Sequence, residues 1–302
     1  MRRFIFILLA LIVLSPFVGP RDALALSVFP LVYTYEVKPG DQVADTITLR
    51  NETAERVTYT PSVQDFVASD DETGTPKFLA PGMTVETSLA EWISFSTSSI
   101  SLEPTEQRRL SFTVAVPTDA SAGGYYGGLL FSGGAGINQK VGVLLLIAVT
   151  GDVTQSAELV SFESAATITS RLPVTFSTRI KNTGDIFLQP AGLIQINNMF
   201  GGESATLAFN QDDGNILPSS TRRFTTVWQD EEVPEDTPEI IQEWKNFGFG
   251  RYTANLIIQY GTDDAIISAS TTFWIIPWQL LIVATIILIV LIILTRFKRQ
   301  QK

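Results

Sequence analysis

The chain has 302 residues, 45% of them hydrophobic, with 21 Lys and Arg against 31 Asp and Glu, and neither His nor Cys. Without those two residue types a Ser-His-Asp triad, a thiol nucleophile, an ordinary zinc site and haem ligation all fall away, and every domain must hold by core burial without disulfides. Catalysis would fall to carboxylates, Lys, Tyr or Ser, and no constellation of these is spaced for it; the reading is of a protein that is not an enzyme and carries no cofactor.

In chain order, residues 1–25 read as a secretory signal peptide. Arg2 and Arg3 precede an apolar run from Phe4 to Leu14, and Ala23-Leu24-Ala25 supplies the small residues at alternate positions that precede cleavage. A first domain is expected over 26–151. Tyr33 and Tyr35 lead into the turn Lys38-Pro39-Gly40-Asp41, and Thr46-Ile47-Thr48-Leu49 alternates toward Asn51. Further strands are expected around Val57, Tyr59 and Val63, at Trp92 with Phe95, at Ile100 with Leu102, and from Leu110 to Val116.

Residues 121–136, SAGGYYGGLLFSGGAG, hold seven glycines in sixteen positions. They match neither the dinucleotide fingerprint nor the Walker pattern, and the chain that follows reads as strand instead of helix. Gly124 to Ser132 is therefore expected to be a late strand paired with Val141 to Val149 through a turn at Gly133 to Asn138. Glycines inside a strand mark the close approach of something else, a neighbouring loop or a ligand. Tyr125 and Tyr126 are adjacent, so on a strand they point to opposite faces, and the outer one is a candidate contact for ligand or glycan.

A second domain is expected over 152–272, with strands near Leu159–Phe162, Val174–Ile180, Leu193–Ile196, Thr206–Phe209, Arg223–Trp228, Tyr252–Tyr260 and Ile266–Phe273. Its FSTRIKNTGD echoes TITLRNET of the first half: alternating strand, basic residue, Asn, polar turn. The fold class is all-β, two tandem immunoglobulin-like β-sandwiches. One stretch breaks the pattern. Thr237 reads as the N-cap of a short helix with Pro238 at its first position, and Ile240, Ile241 and Trp244 share a face. That helix either covers the end of the sandwich or protrudes to contact a partner. Acidic loops at Asp70-Asp71-Glu72, at 210–215 and at Asp230-Glu231-Glu232 raise calcium, against the simpler reading of solvated turns; Asp213-Gly214 reads as a hairpin turn.

Residues 273–295 are expected to cross a membrane. The stretch is uncharged, Trp274 and Trp278 stand at its outer edge, and Arg296, Lys298, Arg299 and Lys302 follow in a tail, 296–302, that the positive-inside rule puts in the cytoplasm. Setting aside the three bases and one acid of the first 25 residues and the four bases of the tail leaves 14 Lys and Arg against 30 Asp and Glu outside, a net charge of −16 that argues against nucleic acid.

The opening YTYEVKPGDQVADTITLRNET, the stretch LEPTEQRRLSFTVAVPTDASAGGYYGGLLFS, then IKNTGD, FGRYTANLIIQYG and FWIIPW before one helix and a basic tail resemble the WxL-interacting protein family. The resemblance implies a bacterial cell-surface protein whose first domain binds peptidoglycan or another cell-wall glycan. It further implies a second domain directed at host or matrix protein, with surface proteins of the WxL type as partners. A looser similarity, in the PGD-then-strand opening, is to periplasmic pilus chaperones. It implies the alternative of an assembly factor that binds client strands by β-augmentation.

Overall fold

The computed structural model describes residues 26–80, 83, 85, 87–133, 140–229, 233–234 and 236–300. The signal peptide, most of the turn expected at Gly133 to Asn138, the Asp230–Glu232 cluster and Lys302 lie outside the described residues. Ten strands precede residue 150: β1 (Leu26–Phe29), β2 (Val32–Val37), β3 (Gln42–Asn51), β4 (Val57–Ala68), β5 (Pro76–Phe78), β6 (Ile93–Phe95), β7 (Ile100–Leu102), β8 (Gln107–Ala115), β9 (Gly123–Gly133) and β10 (Lys140–Val149). They form one sheet in the order β1-β3-β8-β6 and a second in the order β2-β10-β9-β4-β5, with β7 also on β4. Alternation builds the core between them: Ile47 and Leu49 of β3 and Leu110, Phe112 and Val114 of β8 meet Leu129 and Phe131 of β9 and Val143, Leu145 and Ile147 of β10.

The second sandwich comprises β11 (Ala157–Ser164), β12 (Ile168–Thr169), β13 (Val174–Asn182), β14 (Ala191–Asn198), β15 (Glu203–Phe209), β16 (Thr221–Trp228), β17 (Gly250–Tyr260) and β18 (Ala265–Ile275). Its sheets run β11-β13-β16 and β12-β18-β17-β14-β15. Both domains use one plan: an opening strand pairs antiparallel in one sheet (β1 on β3, β11 on β13), then the chain crosses to pair parallel in the other (β2 on β10, β12 on β18). Each is an immunoglobulin-like sandwich, and the echoed sequence TITLRNET/FSTRIKNTGD falls on equivalent strands.

Asn51 and Asn182, the shared residue of that echo, are both fully buried. The Asn51 Nδ2 group donates to the carbonyls of Glu55 (2.7 Å), Leu102 (3.2 Å) and Glu103 (3.1 Å), while its Oδ1 accepts from Thr53 N–H (3.0 Å) and hydroxyl (2.7 Å). Asn182 repeats this with the carbonyls of Ile186 and Ile216 (both 2.8 Å) and the N–H of Gly184 (2.9 Å). Each amide thus stitches a turn to a distant segment. A second repeated device is a tyrosine near the start of the long penultimate strand, bonded to backbone just upstream: Tyr125 hydroxyl to Ser121 carbonyl (3.1 Å), and Tyr252 hydroxyl accepting from Phe249 N–H (3.2 Å).

Three expectations shift. The stretch 273–295 is not all membrane helix: Phe273, Trp274 and Ile275 finish β18, with Phe273 and Ile275 in the core, because alternation continues until Pro277 and the helix starts only at Trp278, running to Gln300. Asp213-Gly214 is no hairpin, since β15 and β16 belong to different sheets; Asn210 closes that turn through its side chain, bonding Gly214 N–H (2.7 Å) and carbonyl (3.0 Å). The short helix is Glu239–Lys245, with Pro238 as N-cap residue instead of first helical residue and no side-chain cap from Thr237.

Removing the amide of Asn182 (Asn182→Ala) takes the side-chain donor from the Ile186 carbonyl and the acceptor from the Gly184 N–H, while the Ile216 carbonyl keeps the Leu188 N–H. A loss of about 2–4 kcal/mol is expected in denaturant unfolding of the detergent-solubilised chain. Asn51→Ala should act alike on the first domain, and no change in either transition would refute this account of the corner.

Candidate functional site

The glycine-rich strand lies in the middle of its sheet. β9 pairs β10 along its whole length, Gly123↔Val149 to Ser132↔Lys140, and β4 on its other side. Its two faces are both covered. Inward, Leu89 packs over Gly127, where an added Cβ would stand 3.2 Å from the leucine Cβ. Leu89 is held there by the buried carboxylate of Asp65, which accepts from Ser88 Oγ (2.6 Å) and the N–H groups of Leu89 (2.9 Å) and Ala90 (3.0 Å). Outward, the ring of Phe78 occupies the space a side chain at Gly128 would need. Side chains of the segment between β4 and β6, Phe78 at the end of β5 and Leu89, thus fill the clearance that the glycines leave.

Neither tyrosine is a surface contact. Tyr125 points into the first core against Trp92, ring centroids 4.3 Å apart. Tyr126 does leave that core, as strand geometry requires, but the second domain covers it. Phe187 meets it edge-on (6.4 Å, 77°), Phe66 lies on its other flank at 6.1 Å, and Leu146, Leu144 and Leu217 complete a small apolar cluster at the seam. Burial pushes the Tyr126 phenol pKa up.

The turn between β4 and β5 locks this seam. Glu72, with φ of +61°, reaches across to Arg179 and Arg223, which are cross-strand partners on β13 and β16. Its carboxylate accepts from Arg179 Nε at 2.7 Å and Arg223 Nη2 at 3.3 Å, and its carbonyl accepts the N–H of Arg223 at 2.7 Å. Because β16 is the edge of its sheet, the first domain contributes one residue of extra ladder to the second. Gly74 (φ +79°) must lack a side chain because the guanidinium of Arg222 lies in that space. The hydrogen bond from Arg179 holds the Glu72 carboxyl below the ordinary carboxylate range. The acidic loop proposed for calcium is thus employed elsewhere: Glu72 on two arginines, Asp70 on Lys77 (3.0 Å), Asp71 on Thr73 N–H (3.0 Å). Among the described residues no group of three acids is placed to hold a metal.

Two pockets flank the seam. One, about 190 Å³, has an apolar floor of Phe66, Leu144 and Leu146, with Val32 at one rim and Arg222 and Asn215 at the other. The other, about 510 Å³, lies between Tyr35, Glu36 and Thr150 on one side and Gln155, Phe187 and Asp263 on the other. Beside the first pocket the sheet edge is incomplete. β2 covers β10 only from Leu144 to Val149, so Lys140–Val143 has no ladder partner on that side among the described residues. Phe29, Leu31 and Val32 flank this notch with 72%, 64% and 41% of their surface exposed.

The short helix does not use its predicted face as a core. Ile240 is half-buried, Ile241 and Trp244 are exposed, and the helix's one buried residue is Glu243. Glu243 Oε2 accepts the N–H groups of Gln279 and Leu280 (both 3.1 Å), capping the C-terminal helix, and Glu239 accepts from the Gln279 amide (2.6 Å). That helix has a span, Trp278–Phe297, long and apolar enough to cross a membrane.

No family model and no curated protein match this chain. Solved structures with a similar arrangement include the class 5 fimbriae chaperone CfaA, at 10% identity and a TM-score of 0.37 over 84% of this chain and all of that one. The CupB2 chaperone of Pseudomonas aeruginosa aligns at 8% identity and 0.36 over 81% and 98%. The CsuC-CsuE chaperone and tip-adhesion subunit complex of Acinetobacter baumannii gives 12% and 0.34 over 66% and 89%. At these TM-scores the likeness says nothing about what this chain binds.

The seam should be pH-sensitive with a definite sign. A carboxyl whose folded pKa is depressed stabilises the docked state above its ordinary titration range, and that contribution is lost as pH falls through the depressed value. Relative to the intrinsic rate at each pH, hydrogen exchange at the Arg223 amide should therefore accelerate at least about fivefold once pH falls below the ordinary carboxylate range. Glu72→Gln should produce the same acceleration at neutral pH while exchange in β3 and β8 stays unchanged.

Proposed function

We propose that the chain is a non-enzymatic, membrane-anchored binding protein. Its two sandwiches, clasped as one unit, would present the notch beside β10 to an extended segment of a protein partner. The observation that carries this reading is the Lys140–Val143 edge, left without a partner on the side away from β9 among the described residues, flanked by exposed Phe29, Leu31 and Val32 and close to the seam pocket. Main-chain groups of an added strand would complete the ladder there, and its side chains would meet the exposed Phe29, Leu31 and Val32 where β2 begins. The C-terminal helix supplies the anchor, with the sandwiches outside and the basic end inside as the positive-inside rule requires.

The glycan reading keeps the family resemblance but loses its candidate aromatic contact, since Tyr125 and Tyr126 are both buried. A WxL-type surface protein, the partner implied by the sequence resemblance, is the first to test. A photocrosslinking residue at Leu31, in the full chain on intact cells, should capture that protein, whereas one at Glu158, exposed on the second domain, should not. Phe29→Glu with Leu31→Glu should weaken binding of the purified partner by at least about tenfold, the loss of two buried apolar contacts. Unchanged binding would reject the notch, and sedimentation of the same double variant with wall sacculi as strongly as wild type, with no protein captured, would favour a glycan ligand bound elsewhere.

A further inference from the structure

Exposed apolar side chains gather at the end of the second sandwich from which the C-terminal helix departs. Phe200 is 86% exposed, Trp244 72%, Phe247 55% and Phe249 48%, and Met199 and Trp274 also stand open. Their meeting at one end follows from the ladders. β17 begins where β18 ends, Gly250↔Ile275 and Arg251↔Trp274, and β14 ends beside that start, Asn198↔Tyr252. The turn carrying Met199 and Phe200 is thus brought against Gly250, where a Cβ would stand 2.7 Å from the methionine sulfur. The short helix with Trp244 is tied to the same place through Glu243 and Glu239.

Nothing slack separates this rim from the helix. Only Ile276 and Pro277 lie between β18 and Trp278, and even Ile276 is fixed, its N–H donating to the Thr169 carbonyl at 2.8 Å. Two residues span at most about 7 Å, and the headgroup layer on each side of a bilayer is about 5–7 Å deep. If Trp278 sits at the bilayer boundary, the rim cannot stand clear of the headgroups. Its composition suits that layer: amphipathic and flat apolar rings around the exit point, and exposed Arg251 beside Trp274, where a guanidinium can reach phosphate.

We infer that this rim is a lipid-docking surface, seated in the outer headgroup layer of the membrane that the chain's own helix crosses, so that the ectodomain is held in a fixed orientation on the bilayer. The inference rests on the reading of Trp278–Phe297 as a spanning helix.

The absence of cysteine allows single reporters to be placed. Phe200→Cys, Trp244→Cys, Glu158→Cys at the far end of the same domain, and Ile287→Cys in mid-helix would each carry an environment-sensitive fluorophore in full-length protein in phospholipid nanodiscs. Lipids bearing a shallow nitroxide should quench positions 200 and 244 at least about threefold more than 158, and a deep nitroxide should quench 287. Quenching at 287 with none above the 158 level at 200 and 244 overturns the docking surface while leaving the spanning helix intact. No quenching at 287 overturns the spanning reading and the inference with it. Shielding of 200 and 244 from an aqueous quencher without any lipid quenching would mean that a second protein copy covers the rim, which also overturns it.

Discussion

An asparagine side chain with no exposure to water has to find partners for its donors and its acceptor inside the protein, and in both sandwiches that requirement fixes the corner from which the rest is built. Asn51 and Asn182 close the turn that follows them and bond a carbonyl more than thirty residues away, so the end of β3 or β13 cannot shift without unsealing a buried polar group. The same residues pair with the first residue of the opening strand, Leu26↔Asn51 and Ala157↔Asn182. Register, sheet-to-sheet crossing and core alternation are therefore referred to one amide per domain. In a chain without disulfides, this is the nearest equivalent to a covalent staple.

The parts of this architecture that were legible beforehand are those whose signal is local. Long alternating strands such as β3, β8, β13 and β17 announce themselves by period-two burial, and the Asn echo was visible as a string of residue types. Short strands were legible only in part: β6 and β7, three residues each, were expected, but β1, β5 and β12 were not, and β12 exists only because Ile168 and Thr169 lie parallel to Trp274 and Ile275. Tyr126 shows the limit most sharply. Strand geometry correctly sent one tyrosine out of the first core, yet outward was another domain, and Phe187 and Leu217 carry no mark of that in their own neighbourhood. Glu72 looked like a solvated or metal-binding acid because its partners, Arg179 and Arg223, are 107 and 151 residues away. At the short helix the apolar residues drew notice while Glu243 did the structural work, its partners being the free amides of a helix that begins later in the chain.

The seam gives the two sandwiches a shared geometry. The clasp at Glu72, the Tyr126 cluster and the backbone bond from Gly124 N–H to the Asp185 carbonyl (3.1 Å) all join the first domain to the second. They set the open edge of β10 at a constant place relative to the second domain. Since that domain is in turn capped onto the C-terminal helix, the edge is positioned with respect to the helix axis by a succession of short hydrogen bonds, with no flexible spacer among the described residues.

The direct passage of β18 into that helix also decides how the molecule bears tension. With the helix anchored as proposed, a pull on the first domain would enter the second domain through β18 along the strand direction. There it loads all eleven pairs with β17 together, from Gly250↔Ile275 to Tyr260↔Ala265, in shear. Bonds loaded in parallel fail together or hold together, whereas bonds at a frayed end would open one at a time. A tether built this way would place a shear-loaded ladder at the junction where a linker would otherwise give way.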